Sequence, residues 1–167
     1  MKNERPRIKV PFEVIDTIIE FTSITIIILM WCYSVFNFTE LPDTIATHFN
    51  AVGEPDGYGS KHTIWIIPSI TTILYIALFM LNKFPHLHNY MVNITEENAF
   101  KNYRFSTRLL RVVNFLCVLL MAYITYMIVE SAFGTKLEIG SWFIPVIIGT
   151  SVILSIILII YMQKLNK

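Results

Sequence analysis

An all-α, polytopic membrane fold follows from three features of this 167-residue sequence: four long apolar runs, a low charge content, and a one-sided distribution of lysine and arginine. Hydrophobic residues make up 54% of the chain and charged residues 15%, whereas a soluble domain is about a quarter charged. Mean hydropathy is +0.58. The formal net charge of +1 supplies no basic field for nucleic acid and no acidic one for a basic partner. The chain reads as a single membrane domain over residues 1–167, with the lipid bilayer as its first partner.

A hydrocarbon core of about 30 Å takes roughly 20 helical residues. Four segments reach that length: about Val14 to Phe36, Thr63 to Leu81, Leu109 to Val129 and Ser141 to Met162. None alternates as a half-buried strand does, and helices satisfy their own backbone groups in lipid. Basic residues precede the first run, but Glu13, Asp16 and Glu20 follow them and no small-residue cleavage site appears. It therefore reads as a retained helix, not a signal peptide.

Orientation follows from the cations. Lys2, Arg5, Arg7 and Lys9 precede the first span, and Lys83, Lys101, Arg104, Arg108 and Arg111 lie between the second and third or just inside the third. Lys164 and Lys167 end the sequence, while the other two connections carry Lys61 and Lys136. This bias predicts cytoplasmic termini, a cytoplasmic connection over 82–107 and an outer loop over 37–62 in a cell membrane. Trp31, Trp65 and Trp142 fall at the predicted outer helix ends, where indole rings prefer the interface. The second and fourth spans both open with W-x-I-P-x-I, proline falling in the first turn where a missing N–H costs little. Cys32 and Cys117 belong to separate spans and read as buried structural thiols.

In the 82–107 connection, Thr95 is placed to cap a helix whose first turn holds Glu96 and Glu97, and that helix runs on into the third span. Arg104, Arg108 and Arg111 share one face of it; Glu13, Asp16 and Glu20 share one face of the first helix. The two stripes lie at the same membrane depth, where an unpaired charge is costly. They predict an ion-pair ladder between helices one and three. A sharper alternative makes Glu20 and Arg111 part of a proton or anion path, and a blander one has the side chains snorkel separately to the interface. His86 and His88 read as solvated loop residues.

The outer loop holds most of the chemistry. Ile45, Thr47 and Phe49 alternate with His48 and Asn50, predicting a short hairpin whose reversal lies at Asn50 to Gly53, glycine supplying a positive φ. Glu54 to Gly57 is a second turn signal through Pro55. His48 with Glu54 or Asp56 has none of the paired spacings of a metal or catalytic centre, so no cofactor and no enzyme activity is expected. His48, Asn50, Gly53, Asp56 and Lys61 are instead read as a binding surface, held by an Asx-turn at Asp56 or a salt bridge from Lys61.

Leu41-Pro42, Ile45, Thr47 to Asn50, Gly53, Asp56-Gly57 and Lys61 together resemble the signature of a bacterial domain of unknown function found at the N-terminus of SdpI-like immunity proteins, which protect cells from a membrane-active peptide toxin. Ile94 to Ala99 with Tyr103 and Arg104 is similar to standalone members of that group. Ala46 stands where the family usually has proline, and SdpI-type proteins carry further helices after this unit. The resemblance implies immunity or envelope sensing of a peptide toxin through the outer loop, with a relay to a cytoplasmic regulator. A small transporter or channel component using the charge stripes is the alternative, followed by an outer-face enzyme.

Overall fold

The computed structural model describes residues 5–135 and 143–165. Within them the chain forms α1 (Val14–Asn37), a hairpin of β1 (Thr44–Phe49) and β2 (Pro55–Ser60), α2 (Ile66–Leu81), α3 (Glu96–Ala132) and α4 (Phe143–Leu165). Short 3-10 turns at Lys61–Trp65 and Pro85–Leu87 lead into and away from α2. Four helices are long and apolar enough to cross a membrane. The expectations placed on Lys2, Lys136, Ser141, Trp142 and Lys167 lie outside the described residues.

The ends of the helices follow local chemistry. The Glu13 N–H donates to the Asp16 carboxylate at 2.9 Å at the start of α1. The Thr95 N–H donates to the Asn98 side chain at 3.0 Å at the start of α3, with Glu96 and Glu97 in its first turn. Pro68 and Pro145 each occupy the third position of their helix, where no intrahelical N–H partner is lost. No breaker interrupts Glu96–Ala132, so the connection's helix and the third span are one rod of 37 residues. At 1.5 Å per residue it is roughly 55 Å long, well beyond a hydrocarbon core.

α3 is the central element, packing against α1, α2 and β1. Three apolar clusters stack along it. Leu41, Ile45 and Ile64 meet Ile128 and Val129 under the hairpin; Ile27, Tyr75 and Val118 fill the middle; Ile94, Ala99 and Tyr103 close the far end. α4 has no buried residue over Pro145–Lys164; it touches α3 where the rings of Phe105 and Tyr161 lie 4.9 Å apart. Cys32 and Cys117, expected inside, are both exposed, on faces of α1 and α3 turned away from the bundle.

The chain before α1 is strapped across the far end. The Tyr103 hydroxyl donates to the Pro6 carbonyl at 2.9 Å, and Arg5 donates to the carbonyls of His86 and His88 at 3.0 and 2.7 Å. His88, expected to be solvated, instead sits half-buried with ring nitrogens near the Ser106 hydroxyl (3.1 Å) and the Leu81 carbonyl (3.3 Å). Burial lowers its pKa, because the imidazolium is harder to desolvate than the neutral ring. Burial likewise pushes the neighbouring Tyr90 phenol up to about 12. A base with a lowered folded-state pKa binds fewer protons folded than unfolded just below pH 6.5, so stability rises with pH there and is lost as pH falls. Thermal unfolding in detergent between about pH 7.5 and pH 5.5 should show that loss, and His88→Gln should flatten the profile. An unchanged profile would place the titration elsewhere.

Candidate functional site

Polar chemistry concentrates at the two ends of the bundle, with the Ile27–Tyr75–Val118 cluster between them. At the hairpin end, β1 and β2 pair antiparallel, Thr44 opposite Ser60 and Phe49 opposite Pro55. The Asn50 side-chain oxygen accepts from the N–H groups of Val52 and Glu54, both at 3.0 Å, and Gly53 takes φ +86°. The Asx-turn is therefore made by Asn50, not Asp56. The second turn predicted at Glu54 to Gly57 is absent, because Pro55 opens β2 instead.

The ladder is irregular between Ala46 and Phe49, and this breaks the predicted alternation. Ile45 and Ala46 are both buried and Thr47 is exposed, so Thr47 does not share a face with Ile45. Glycines opposite make room for the irregular strand: a Cβ on Gly57 would lie 2.9 Å from the His48 Cβ, and one on Gly59 3.0 Å from the Thr47 methyl. The result is a hairpin with one apolar side on α3 and one polar side open.

On the open side His48 Nδ1 lies 2.5 Å from an Asp56 carboxylate oxygen, both side chains well exposed. Asn50 donates to the Glu54 carboxylate at 3.2 Å beside them. Lys61 is not part of this group. It sits at the base of the hairpin, 3.3 Å from both the Leu41 carbonyl and the Asp43 carboxylate, and its ammonium faces the Phe38 ring. No cluster of three or more metal-ligating side chains occurs among the described residues.

At the far end, α1 and α3 present their charged stripes to one another. Glu13 bridges Arg104 (2.6 Å) and Arg108 (2.8 Å); Asp16 bridges Arg108 (3.2 Å) and Arg111 (3.4 Å); Glu20 meets Arg111 at 3.3 Å. The ladder passes from exposed to buried: Glu13 and Arg104 are wet, whereas Asp16, Glu20 and Arg111 are buried. The two arginines hold the Glu13 carboxyl below its usual range by hydrogen bonds. Side chains that no charge pattern announces complete the deep end. The Tyr75 hydroxyl donates to Glu20 at 2.7 Å, and the Arg111 guanidinium lies 4.2 Å from the centre of the Phe12 ring. Tyr75 was legible only as an apolar-run aromatic; its role depends on α2 facing α1.

The profile of a domain of unknown function, DUF1648, matches residues 25–72, from the middle of α1 to the first half of α2. The matched stretch contains the whole hairpin and the Leu41–Lys61 residues that carry the resemblance, and excludes Ile94 to Ala99. An uncharacterized protein of Archaeoglobus fulgidus is 37% identical over 57 residues, which cover 34% of this chain and 31% of that protein. The chain thus aligns with less than a third of that relative's length. No solved structure matches it.

Breaking the deepest pair tests the ladder. Removing one partner of a buried ion pair costs about 3–5 kcal/mol. Glu20→Ala should fall at the lower end, because Asp16 still faces Arg111 at 3.4 Å. In denaturant unfolding in detergent, the double variant Glu20→Ala/Arg111→Met should lose less than the sum of the singles. Additive losses would show that the two do not interact.

Proposed function

We propose that this chain is a membrane-embedded recognition protein that carries its hairpin on the outer face of a cell membrane and binds a membrane-active peptide there, in the manner of SdpI-like immunity proteins. The observation that carries this reading is the two-sidedness of the hairpin. Ile45 and Ala46 are buried beneath it, whereas His48, Asp56, Tyr58 and Val52 are exposed on it, so its outer surface is held in one shape without being used for packing. A two-stranded sheet also has open backbone edges, to which an extended peptide can add as a further strand. The match of residues 25–72 to a domain of unknown function supports a shared unit built around this hairpin.

Cytoplasmic termini are part of the proposal, supported by the clustering of Arg5, Arg7, Lys9, Lys83, Lys101 and Arg104 at the end away from the hairpin. That basic end would meet a cytoplasmic regulator. The reading is non-catalytic: the His48–Asp56 pair is open to solvent, and among the described residues no third side chain hydrogen-bonds to it, whereas a reaction would need water excluded and charge stabilised. A transport role draws support from the buried Glu20–Arg111 pair, but the packed cluster of Ile27, Tyr75 and Val118 lies between that pair and the hairpin, and among the described residues no span is broken midway as transporter sites often are.

Three measurements test this. In a background free of Cys32 and Cys117, Val52→Cys should label with an impermeant thiol reagent in intact cells and Asn89→Cys should not; the reverse pattern sinks the orientation. His48→Ala and Asp56→Ala should insert normally yet weaken peptide protection, each by about 1 kcal/mol of binding, or roughly fivefold. Because the two share one hydrogen bond, the double variant should be little worse than either single. Stoichiometric zinc in the purified protein, lost in both variants, would replace the peptide reading with a metal site.

A further inference from the structure

A cavity of about 240 Å³ opens at the far end of the bundle, beside the innermost ion pair. Lys9, Glu20, Phe79, Asn82, Lys83 and Arg111 are among its walls. Two buried polar atoms there make no hydrogen bond among the described residues. Asn82 is buried, and its amide nitrogen donates to the Thr107 carbonyl at 3.0 Å. That bond orients the amide and leaves Oδ1 without a donor. Arg111 Nε lies 3.3 Å from Glu20 but is misaligned for a hydrogen bond, so it is a donor without an acceptor. Buried polar groups left unpaired are rare because each forfeits its hydration.

Charge at the cavity is also unbalanced. Among the described residues neither Lys9 nor Lys83 has a carboxylate within ion-pair distance; the Lys83 ammonium faces the Phe79 ring at 5.0 Å. Asp16 and Glu20 already face Arg111, so the two lysines are the excess positive charge at the cavity. The vacant positions call for an anion that accepts from Lys9, Lys83 and Arg111 and also donates to Asn82. The cavity lies where α2 ends at Leu81 and α1 begins at Val14, at the level where apolar helix gives way to polar chain and lipid headgroups collect.

We propose that this cavity holds the headgroup of an anionic phospholipid that bears a hydroxyl donor, phosphatidylglycerol being the type. The phosphodiester oxygens accept from Lys9, Lys83 and Arg111, the glycerol hydroxyl donates to Asn82 Oδ1, and the acyl chains lie along the apolar exterior of α2. Phosphatidylcholine supplies the phosphate but neither net charge nor donor. Phosphatidylethanolamine supplies a donor without net charge. The site stands apart from the hairpin, and its test is read independently of peptide binding.

The full-length protein is equilibrated with equal amounts of phosphatidylglycerol, phosphatidylethanolamine and phosphatidylcholine in mixed micelles, and retained lipid is measured by native mass spectrometry. Phosphatidylglycerol should be retained about tenfold over phosphatidylcholine, with phosphatidylethanolamine between them. The double variant Lys9→Gln/Lys83→Gln changes two exposed residues, so it should keep its lipid-free Tm while its phosphatidylglycerol retention drops about tenfold. With phosphatidylmethanol added as a fourth lipid, an anionic phosphodiester without a hydroxyl donor, Asn82→Leu should narrow the gap between it and phosphatidylglycerol. Equal retention of all lipids, or retention unaffected by the lysine variant, overturns the site. Displacement of the lipid by soluble glycerol phosphate or inorganic phosphate assigns the cavity to a free phosphate ligand and overturns the lipid source.

Discussion

The structure depends on a ladder of carboxylates and guanidinium groups that joins α1 to α3. Apolar helices in lipid have little reason to choose one rotation or one vertical offset over another, because the solvent is as apolar as their side chains. Three acids at one-face spacing opposite three arginines at one-face spacing remove that freedom. Sliding α3 by one turn would leave Asp16 or Glu20 buried without a counter-charge, at a cost of several kcal/mol. Tyr75 extends the same constraint to α2 by capping the oxygen of Glu20 that Arg111 does not reach.

Setting that offset at one end sets what arrives at the other. α3 is continuous from Glu96 to Ala132, so its position in the ladder determines where Ile128 and Val129 stand beneath the hairpin. Leu41, Ile45 and Ile64 pack on those two residues. The rings of Trp31 and Trp65 stack 6.1 Å apart between α1 and the start of α2, and the Trp31 indole N–H donates to Thr72 at 3.0 Å. The hairpin thus rests on a platform that three helices define jointly. Its outer surface keeps its shape because its inner surface is fully committed.

The two ends also divide the chemistry. The hairpin end shows exposed polar groups that already satisfy one another, His48 with Asp56 and Asn50 with Glu54. The far end contains buried groups that do not, the Asn82 oxygen and Arg111 Nε. On the proposed reading, surface pairs of the first kind serve recognition of a partner at the hairpin face. Buried vacancies of the second kind suit a small polar group taken up from the lipid boundary. α4, apolar on every described side and almost without protein contacts, adds little to either end.

Much of the fold was legible because the bilayer imposes strict terms on length and composition. Helix existence, the Thr95 start of α3, the Gly53 reversal and the spacing of the charge stripes all come from local rules of period, capping and φ. What local rules could not supply was contact across elements. The irregular pairing around Thr47 arises from where Gly57 and Gly59 lie on the opposite strand. The partial burial of His88 arises from Ser106 and Leu81 closing over it, and the exposure of Cys32 and Cys117 from which helix faces the bundle turns outward. By itself the sequence determined that four apolar helices form and which residues along them carry charge, since those are properties of consecutive residues in lipid or water. Only the tertiary structure decided that Tyr75 meets Glu20, that Asn82 is left with an empty acceptor, and that His48 finds Asp56. Each of those pairings joins residues whose nearness depends on how separate elements pack.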